Sequence, residues 1–229
     1  MRLSYSRWNV YKQCPLKYKF KYHMKLKEPF VGAAAERGTL IHDHVESYIN
    51  GKSDYLPWDA TNPVERVPAL GKAHPLQGLV DRLRNWPSGD SHTEYKVEFD
   101  IDWLPFPQAE SSYIAIFDAA AQFNGEVEIA EWKSGKPSAD HADQRKFYAM
   151  AALALWLPKK VSVTTYYIDL TGPAARTTVT PEAEQTLRDM WAERREGILN
   201  DKVLAPRPND KCRWCFFRKT NGGPCPMSY

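Results

Sequence analysis

The 229-residue sequence predicts a single mixed α/β domain built around a small central sheet. Residues 94–103 alternate apolar and charged side chains, which is typical of a half-buried strand. Asn124 and Gly125 form a two-residue hairpin signal between two further β-rich runs, because both central positions of a type I′ turn require positive φ. With helical patterns on either side, the predicted order is helices, three strands, helix, strand, helix.

The first half of the chain is predicted to be largely helical. Aromatic side chains recur at helical spacing from residue 4 to residue 24, and Pro15 is expected to interrupt that helix because proline has no N–H group. Further helices are predicted over 39–49 and 76–86. The intervening residues 52–75 are rich in proline and aspartate and have no clear period, so we expect an irregular segment there.

The second half is predicted to supply most of the sheet. The Asn-Gly turn joins strands over 113–123 and 126–133. An alanine-rich helix is predicted over 139–156, followed by a strand of β-branched and aromatic residues over 161–170. A final helix is expected over 180–200, with a proline in its first turn, where the missing N–H has no cost.

The predicted hairpin carries a candidate catalytic group. Glu131 and Lys133 are two residues apart on one strand, so their side chains leave the same face of the sheet. Trp132 is expected to point the opposite way into a core, while Asp118 on the neighbouring strand can reach the face of Glu131. Two carboxylates and a lysine can hold a divalent cation and position a water for phosphodiester hydrolysis. The alternative is an exposed strand face with an ordinary Glu–Lys pair.

Both ends of the chain are basic, although the net charge is only +3. Eight lysines and arginines precede the first acidic residue, Glu28, and aromatic residues are interleaved with them. Such a mixture suits binding to a phosphate backbone with stacked bases. The alternative is a solvated, lysine-rich helix face. The basic residues near the C-terminus are Lys202, Arg207, Lys211, Arg213, Arg218 and Lys219.

The four cysteines lie towards the two ends, Cys14 near the start and Cys212, Cys215 and Cys225 near the end. The Cys-x-x-Cys spacing of Cys212 and Cys215 can place two thiolates on one metal ion or cluster. Four thiolates are the number needed for one tetrahedral zinc ion or one [4Fe–4S] cluster, and such a site would join the two ends. The alternative is that Cys14 is a buried small apolar residue.

The sequence also bears on the cellular location. No apolar run approaches the roughly 20 residues that a membrane-spanning helix requires, so we expect no membrane association. The residues that follow Met1 lack the apolar segment of a secretory signal. A cytoplasmic location is therefore expected.

Together these segments resemble the PD-(D/E)XK nuclease superfamily, and within it the RecB-like exonucleases that carry an iron–sulfur cluster. Over nearly the whole chain the sequence is similar to the CRISPR-associated RecB-like exonuclease and to the nuclease domain of the AddB helicase–nuclease. Each motif is loose, but all of them occur in the expected order. They are the cysteine motif from Cys14 to Phe20, the helical motif ending at His42, Asp118 with Glu131-Trp132-Lys133, Gln144-x-x-x-Tyr148, and the C-terminal Cys212, Cys215 and Cys225.

The resemblance implies a restriction-endonuclease-like core over 36–199. Residues 1–30 and 200–229 would together form the cluster-binding part of the same single domain. Two departures from the family pattern stand out. Phe117 occupies the position of the proline in the family signature, which changes nothing chemically, and the gap between the last two cysteines is longer than the family usually has.

The resemblance also implies a role for each site residue. Lys133 would orient or help deprotonate the attacking water, or stabilise charge on the phosphate. Gln144 and Tyr148 share a helix face and would contact the substrate phosphate or hold the lysine in place. The four cysteines would hold a [4Fe–4S] cluster, with Zn²⁺ as the alternative. The implied ligands of a Mg²⁺ or Mn²⁺ ion are His42, Asp118, Glu131 and the backbone carbonyl of Trp132.

The expected activity is metal-dependent hydrolysis of DNA by an exonuclease of a phage or bacterium, in recombination, repair or CRISPR adaptation. The expected partners are DNA, as a single strand or duplex end, and a protein such as a helicase, recombinase or CRISPR integrase. One alternative is a DNA-binding module of nuclease fold that does not cut, and the intact Asp118, Glu131 and Lys133 argue against it. Another alternative is a structural protein held together by zinc, but this would leave the carboxylates and lysine without a role.

Overall fold

A computed structural model describes residues 1–27, 33–54, 77–86, 91–105, 111–167 and 175–227 of the chain. At its centre is a mixed sheet of five strands in the order β1-β2-β3-β4-β5. The neighbours β3 and β4 are parallel, and every other pair is antiparallel. The predicted mixed α/β fold is thus confirmed. The strands are β1 (Ser91–Phe99), β2 (Tyr113–Phe123), β3 (Glu126–Lys133), β4 (Lys160–Tyr167) and β5 (Ala175–Val179).

Helices cover both faces of this sheet. One face packs against α5, the crossover between the parallel strands, and the other against α3 and α4. The predicted break at Pro15 is confirmed, because α1 ends before an extended Cys14 and α2 begins at the proline. The helices are α1 (Tyr5–Gln13), α2 (Pro15–Tyr18), α3 (Ala33–Ile49), α4 (Gln77–Arg84), α5 (Asp140–Trp156) and α6 (Glu184–Asn200).

The hairpin between β2 and β3 forms as predicted. Asn124 and Gly125 have φ values of 51° and 79°, and the strands pair directly beside them. β5 was not predicted. It is a five-residue edge strand. Its threonines and valine favour a strand and are the feature from which it could have been predicted. Of the segment predicted to be irregular, only residues 52–54 belong to the described part of the chain.

Two cores lie on opposite faces of the sheet. The larger one, on the side of α5, contains Phe117, Phe147 and Trp191. The smaller one, under α3 and α4, contains Val45 and Trp132, whose exposure is 2%. Trp132 therefore points into a core on the side away from α5, as the alternation along β3 predicted.

The two ends of the chain meet beside α1. Arg207 Nη1 donates a 2.6 Å hydrogen bond to the carbonyl of Lys12, and Tyr11 Oη donates one of 2.8 Å to Asp201. The division into a core and a cluster-binding part remains a prediction. Among the helices of the described residues, none is long and apolar enough to cross a membrane.

Candidate active site

The candidate carboxylates lie where β2 and β3 separate. Ladder pairing between these strands ends at Ala119 and Ala130. Next to that pair, Asp118 Oδ2 accepts a 2.7 Å hydrogen bond from the backbone N–H of Trp132. The Asp118 side chain thus accepts a hydrogen bond from an N–H group that would otherwise donate to a neighbouring strand. The strands open into a gap flanked by Asp118 and Glu131, here called the carboxylate gap.

Glu131 is held from the side of α5. Its Oε1 atom accepts hydrogen bonds of 2.5 Å from Lys133 Nζ and 2.6 Å from Gln144 Nε2. The Tyr148 hydroxyl lies 3.2 Å from the same Gln144 nitrogen. The second oxygen, Oε2, is buried and has no hydrogen-bond partner in the described part of the chain. Because buried polar atoms rarely lack a partner, Glu131 Oε2 fits the place of a ligand to an ion.

Asp118 faces helix α3 on the other side of the gap. His42 Nδ1 lies 3.4 Å from Asp118 Oδ1 and 3.2 Å from Glu94 Oε1. One ligand atom from each of these three residues lies within 4.8 Å of the others. A cavity of about 410 Å³, lined by His42, Glu46 and Glu94 among others, opens beside them. Two carboxylates and an imidazole form a donor set suited to a divalent cation.

Glu94 is a site residue that the sequence did not reveal. It stands directly opposite Asp118, and the ladder pairs on either side are formed while this one is not. Its φ of 45° lies in the left-handed region, which non-glycine residues seldom adopt and which often marks a functional site. This conformation accompanies the contact of its carboxylate with His42. Only its position opposite Asp118 points to this role. That position depends on the register of β1 against β2, which the sequence does not give.

The charges of the site raise three pKa values. Burial, followed by the negative charge of Glu131, raises the pKa of Asp118. Burial disfavours the charged form of Lys133, but Glu131 outweighs it and raises the pKa of that amine. Burial likewise opposes the charged form of His42, yet its hydrogen bond to Glu94 and the charge of Asp118 raise its pKa to about 9. The gap therefore has an excess of negative charge that a cation would stabilise.

Comparison with known proteins identifies the family. Residues 2–220 match the sequence profile of the PD-(D/E)XK nuclease superfamily. The chain belongs to this superfamily. No curated protein matches the sequence significantly.

The structure is also similar to solved structures of other proteins. SSO0001 is 18% identical with a TM-score of 0.50, and the match covers 98% of this chain and 85% of that one. A protein from Eubacterium rectale with a provisional exonuclease assignment is 15% identical with a TM-score of 0.48, covering 93% and 87%. LHK-Exo, solved in complex with dAMP, is 14% identical with a TM-score of 0.38, covering 86% and 90%. At these identities the likeness concerns the fold alone.

Most of the residues predicted for the PD-(D/E)XK site lie together. Glu131, Lys133, Gln144 and Tyr148 form one hydrogen-bonded group, and His42 contacts Asp118. Glu131 is not part of the three-donor group that contains His42, although its unpartnered oxygen belongs to the same gap. The catalytic and metal-binding roles of these residues, including that of the Trp132 carbonyl, remain predictions.

The four cysteines of the nuclease line one cavity of about 50 Å³ at the junction of the chain ends. All four are free thiols of intermediate exposure. Backbone N–H groups of Arg207 and Asn209 point at the sulfurs of Cys14 and Cys212, at 3.5 and 3.4 Å. No three of these sulfurs lie within 4.8 Å of one another.

Proposed function

We propose that this PD-(D/E)XK nuclease is a metal-dependent deoxyribonuclease that acts as an exonuclease. The observation that carries the proposal is the unequal hydrogen bonding of the two carboxylate oxygens of Glu131. One of its oxygens is fixed by Lys133 and Gln144, while the other is buried without a partner beside Asp118. A buried carboxylate oxygen without a partner is costly unless a hydrogen-bond donor or a cation joins it.

The cation that suits these donors is Mg²⁺ or Mn²⁺, and the imidazole of His42 favours Mn²⁺. Asp118, Glu94 and His42 would hold it, with Glu131 Oε2 and the Trp132 carbonyl as further ligands. When bound, the ion supplies charge stabilisation at the phosphate and a lowered pKa of a coordinated water. In the reaction, the water oxygen would form a new bond to phosphorus as the bond from phosphorus to the leaving sugar oxygen breaks. Solvent would take the proton from the water and supply one to the leaving oxygen.

Lys133 serves as a cation in this proposal. Its ion pair with Glu131, which outweighs burial and raises its pKa, favours the protonated form of the amine. Its positive charge at the edge of the carboxylate gap would stabilise the negative charge that develops on the phosphate oxygens. Of the roles that the resemblance implies, electrostatic stabilisation therefore has the best support.

Gln144 and Tyr148 position the carboxylate and do not need to touch the phosphate. Gln144 donates to Glu131 Oε1, and the Tyr148 hydroxyl lies within hydrogen-bond distance of the amide. Both are buried on α5, at 6% and 8% exposure. Together they fix one oxygen of Glu131 and leave the other directed to the cation.

We further propose a [4Fe–4S] cluster at the four cysteines. Around one zinc ion, with Zn–S bonds of about 2.3 Å, the sulfurs would lie roughly 3.8 Å apart. No three of the cysteine sulfurs lie within 4.8 Å of one another, which does not match that spacing. A cluster binds each thiolate through a separate iron and so accepts a wider spacing. Backbone N–H groups directed at two of the sulfurs suit thiolates that carry negative charge.

The substrate is proposed to be DNA, as a single strand or a duplex end, in recombination, repair or CRISPR adaptation. A helicase, recombinase or CRISPR integrase is the proposed kind of protein partner, and the cytoplasm the proposed location. The basic ends of the chain support a nucleic-acid substrate, since contacts to phosphates provide most of the non-specific affinity.

The test is digestion of linear and circular single-stranded DNA with Mn²⁺, Mg²⁺ or EDTA, by wild type and Glu131→Gln. Glu128→Gln, three residues earlier on β3 at a partly exposed position, is the matched control. We expect metal-dependent loss of linear DNA with wild type and Glu128→Gln, and at least a hundredfold slower loss with Glu131→Gln. DNA that is bound but not cut under any metal would contradict the proposal.

A further inference from the structure

A cavity beside the carboxylate gap has no part in the mechanism above. It measures about 250 Å³ and lies between residues 2–7 and the first half of β2. Two arginines and two serines line one side, and Ile114 and Ile116 of β2 line another. Tyr148 is also part of the lining. We call this space the end pocket.

The end pocket adjoins the catalytic residues. Tyr148 lines it and also contacts Gln144, which in turn holds Glu131. Ile116 precedes Asp118 by two residues on the same strand, a distance of about 6.6 Å along the backbone. A group seated on Ile116 would therefore lie next to a phosphate in the carboxylate gap.

The backbone edge of β2 is open between the pocket and the gap. On that side Leu3 bridges Tyr113 at one end, and the ladder with β3 begins at Ala119. Between these points no strand of the described part of the chain pairs with β2 on this side. Within the described part of the chain, a substrate strand that follows this edge of β2 from the gap to the pocket therefore displaces no paired strand.

The chemistry of the pocket suits a nucleotide. Ile116 is exposed to 42%, which offers an apolar surface to a base. Arg7 is fixed by a 2.6 Å hydrogen bond from Nη1 to the carbonyl of Arg2 and by the ring of Tyr22, 5.0 Å from its Cζ. A guanidinium has five N–H donors, so a fixed Arg7 retains donors for phosphate oxygens.

The nearby carboxylate does not oppose a phosphate. Glu98, opposite Ile114 on β1, is paired with Arg2 at 3.2 Å and with Lys96 at 2.6 Å. Ser111 donates to its other oxygen at 2.8 Å. With its negative charge balanced by two cations, Glu98 leaves the charge of Arg7 available to an anion.

The N-terminal segment lines the end of the pocket beside the start of β2. Leu3 donates to the Ser112 carbonyl at 2.8 Å and accepts from the Ile114 N–H at 2.9 Å, which fixes residues 2–4 beside the start of β2. Pockets for drug-sized ligands measure roughly 300–1,000 Å³. A space of about 250 Å³ is smaller than these and therefore suits one nucleotide better than several.

We propose that the end pocket binds the 5′-phosphorylated terminal nucleotide of the strand being cut, with its base against Ile116 and its 5′-phosphate at Arg7. This inference rests on the proposed nuclease function and specifies its substrate as a strand end. The scissile phosphate then lies one nucleotide from the end, and each cut releases a mononucleotide.

The experiment uses the full chain in two assays. The first measures binding of thymidine monophosphate in EDTA by ligand-observed NMR, which requires neither metal nor catalysis. The second measures KM, kcat and product length on a 5′-phosphorylated 20-nucleotide single strand with Mn²⁺. The variants are Arg7→Gln and Ile116→Asp. The control is Arg176→Gln, at a half-exposed position on β5.

We expect Arg7→Gln and Ile116→Asp to weaken nucleotide binding roughly tenfold to a hundredfold, the usual effect of losing a hydrogen bond to a charged group or an apolar contact. KM should rise by a similar factor with a smaller change in kcat, the control should match wild type, and the first products should be mononucleotides. Wild-type nucleotide binding and KM in both variants would overturn the proposal, as would first products several nucleotides long. If wild type does not cut, the nuclease proposal fails, and the binding assay still decides whether the pocket holds a nucleotide.

Discussion

Replacing Lys133 with methionine removes the ion pair with Glu131 at the centre of the site and so measures what that pair contributes to stability. The side chains of Glu131 and Lys133 are only 3% and 26% exposed, and their atoms are 2.5 Å apart. Methionine keeps most of the volume of lysine but removes its charge. The variant therefore leaves a buried carboxylate whose remaining hydrogen-bond partner is Gln144.

The expected loss in the free energy of unfolding depends on whether the unpaired carboxylate stays charged or takes up a proton. Removing one partner of a buried pair typically costs about 3–5 kcal/mol. An unpaired carboxyl can escape part of that cost by taking up a proton. For a group with an ordinary glutamate pKa of about 4.3, protonation costs about 3.7 kcal/mol at pH 7 and about 1 kcal/mol at pH 5. We therefore expect Lys133→Met to lower the free energy of unfolding by about 3 to 4 kcal/mol at pH 7 and by about 1 kcal/mol at pH 5.

The sign of this pH dependence is fixed by linkage. A carboxyl that is protonated in the folded variant binds more protons than its unfolded form, so stability falls as pH rises. The assay is equilibrium unfolding in urea with EDTA at both pH values, under anaerobic conditions. Lys160→Met is the control, because Lys160 and Glu126 form an exposed pair, 39% and 51% accessible, worth less than about 1 kcal/mol. Equal losses in the two variants, or a loss that does not change with pH, would refute the reasoning.

Three further predictions concern the metal site, the junction of the chain ends and the cysteines. Glu94→Gln should weaken Mn²⁺ binding at least tenfold in a calorimetric titration, since it removes a charged ligand, whereas Glu128→Gln should not. Asp140 and Asp143 are partly buried, but Lys12 and its basic neighbours outweigh burial and lower the pKa of both carboxyls. Their contribution to stability is present above about pH 4 and lost as pH falls further, so Lys12→Met should lower the melting temperature more at pH 7 than at pH 3. Cys212→Ala should lose both the visible absorbance of the cluster and binding to single-stranded DNA; a variant that stays folded and active would contradict the proposed cluster.

The features that the sequence predicted correctly have local causes. Asn124-Gly125 encodes a turn with two positive φ values, and the alternation along β3 places Trp132 in a core opposite Glu131. Helical spacing likewise placed Gln144 and Tyr148 on one face. Each of these signals depends on residues close together in the chain.

The features that escaped prediction depend on distant parts of the chain. The role of Glu94 follows from its place opposite Asp118 and from a backbone conformation that its residue type does not predict. That Gln144 holds Glu131 follows from the packing of α5 on β3. The number of cysteines likewise leaves zinc and iron open, because both a zinc ion and a [4Fe–4S] cluster take four thiolates.

The central claim is that Asp118, Glu131 and Lys133 form a hydrolytic site for DNA ends. Its most direct test is cleavage of a single strand labelled at either end, by anaerobically purified wild type and Lys133→Ala, with Mn²⁺ or EDTA. The account predicts release of label by wild type with Mn²⁺, and loss of that activity in EDTA and in the variant. Equal release of label by Lys133→Ala, or by wild type in EDTA, would contradict it.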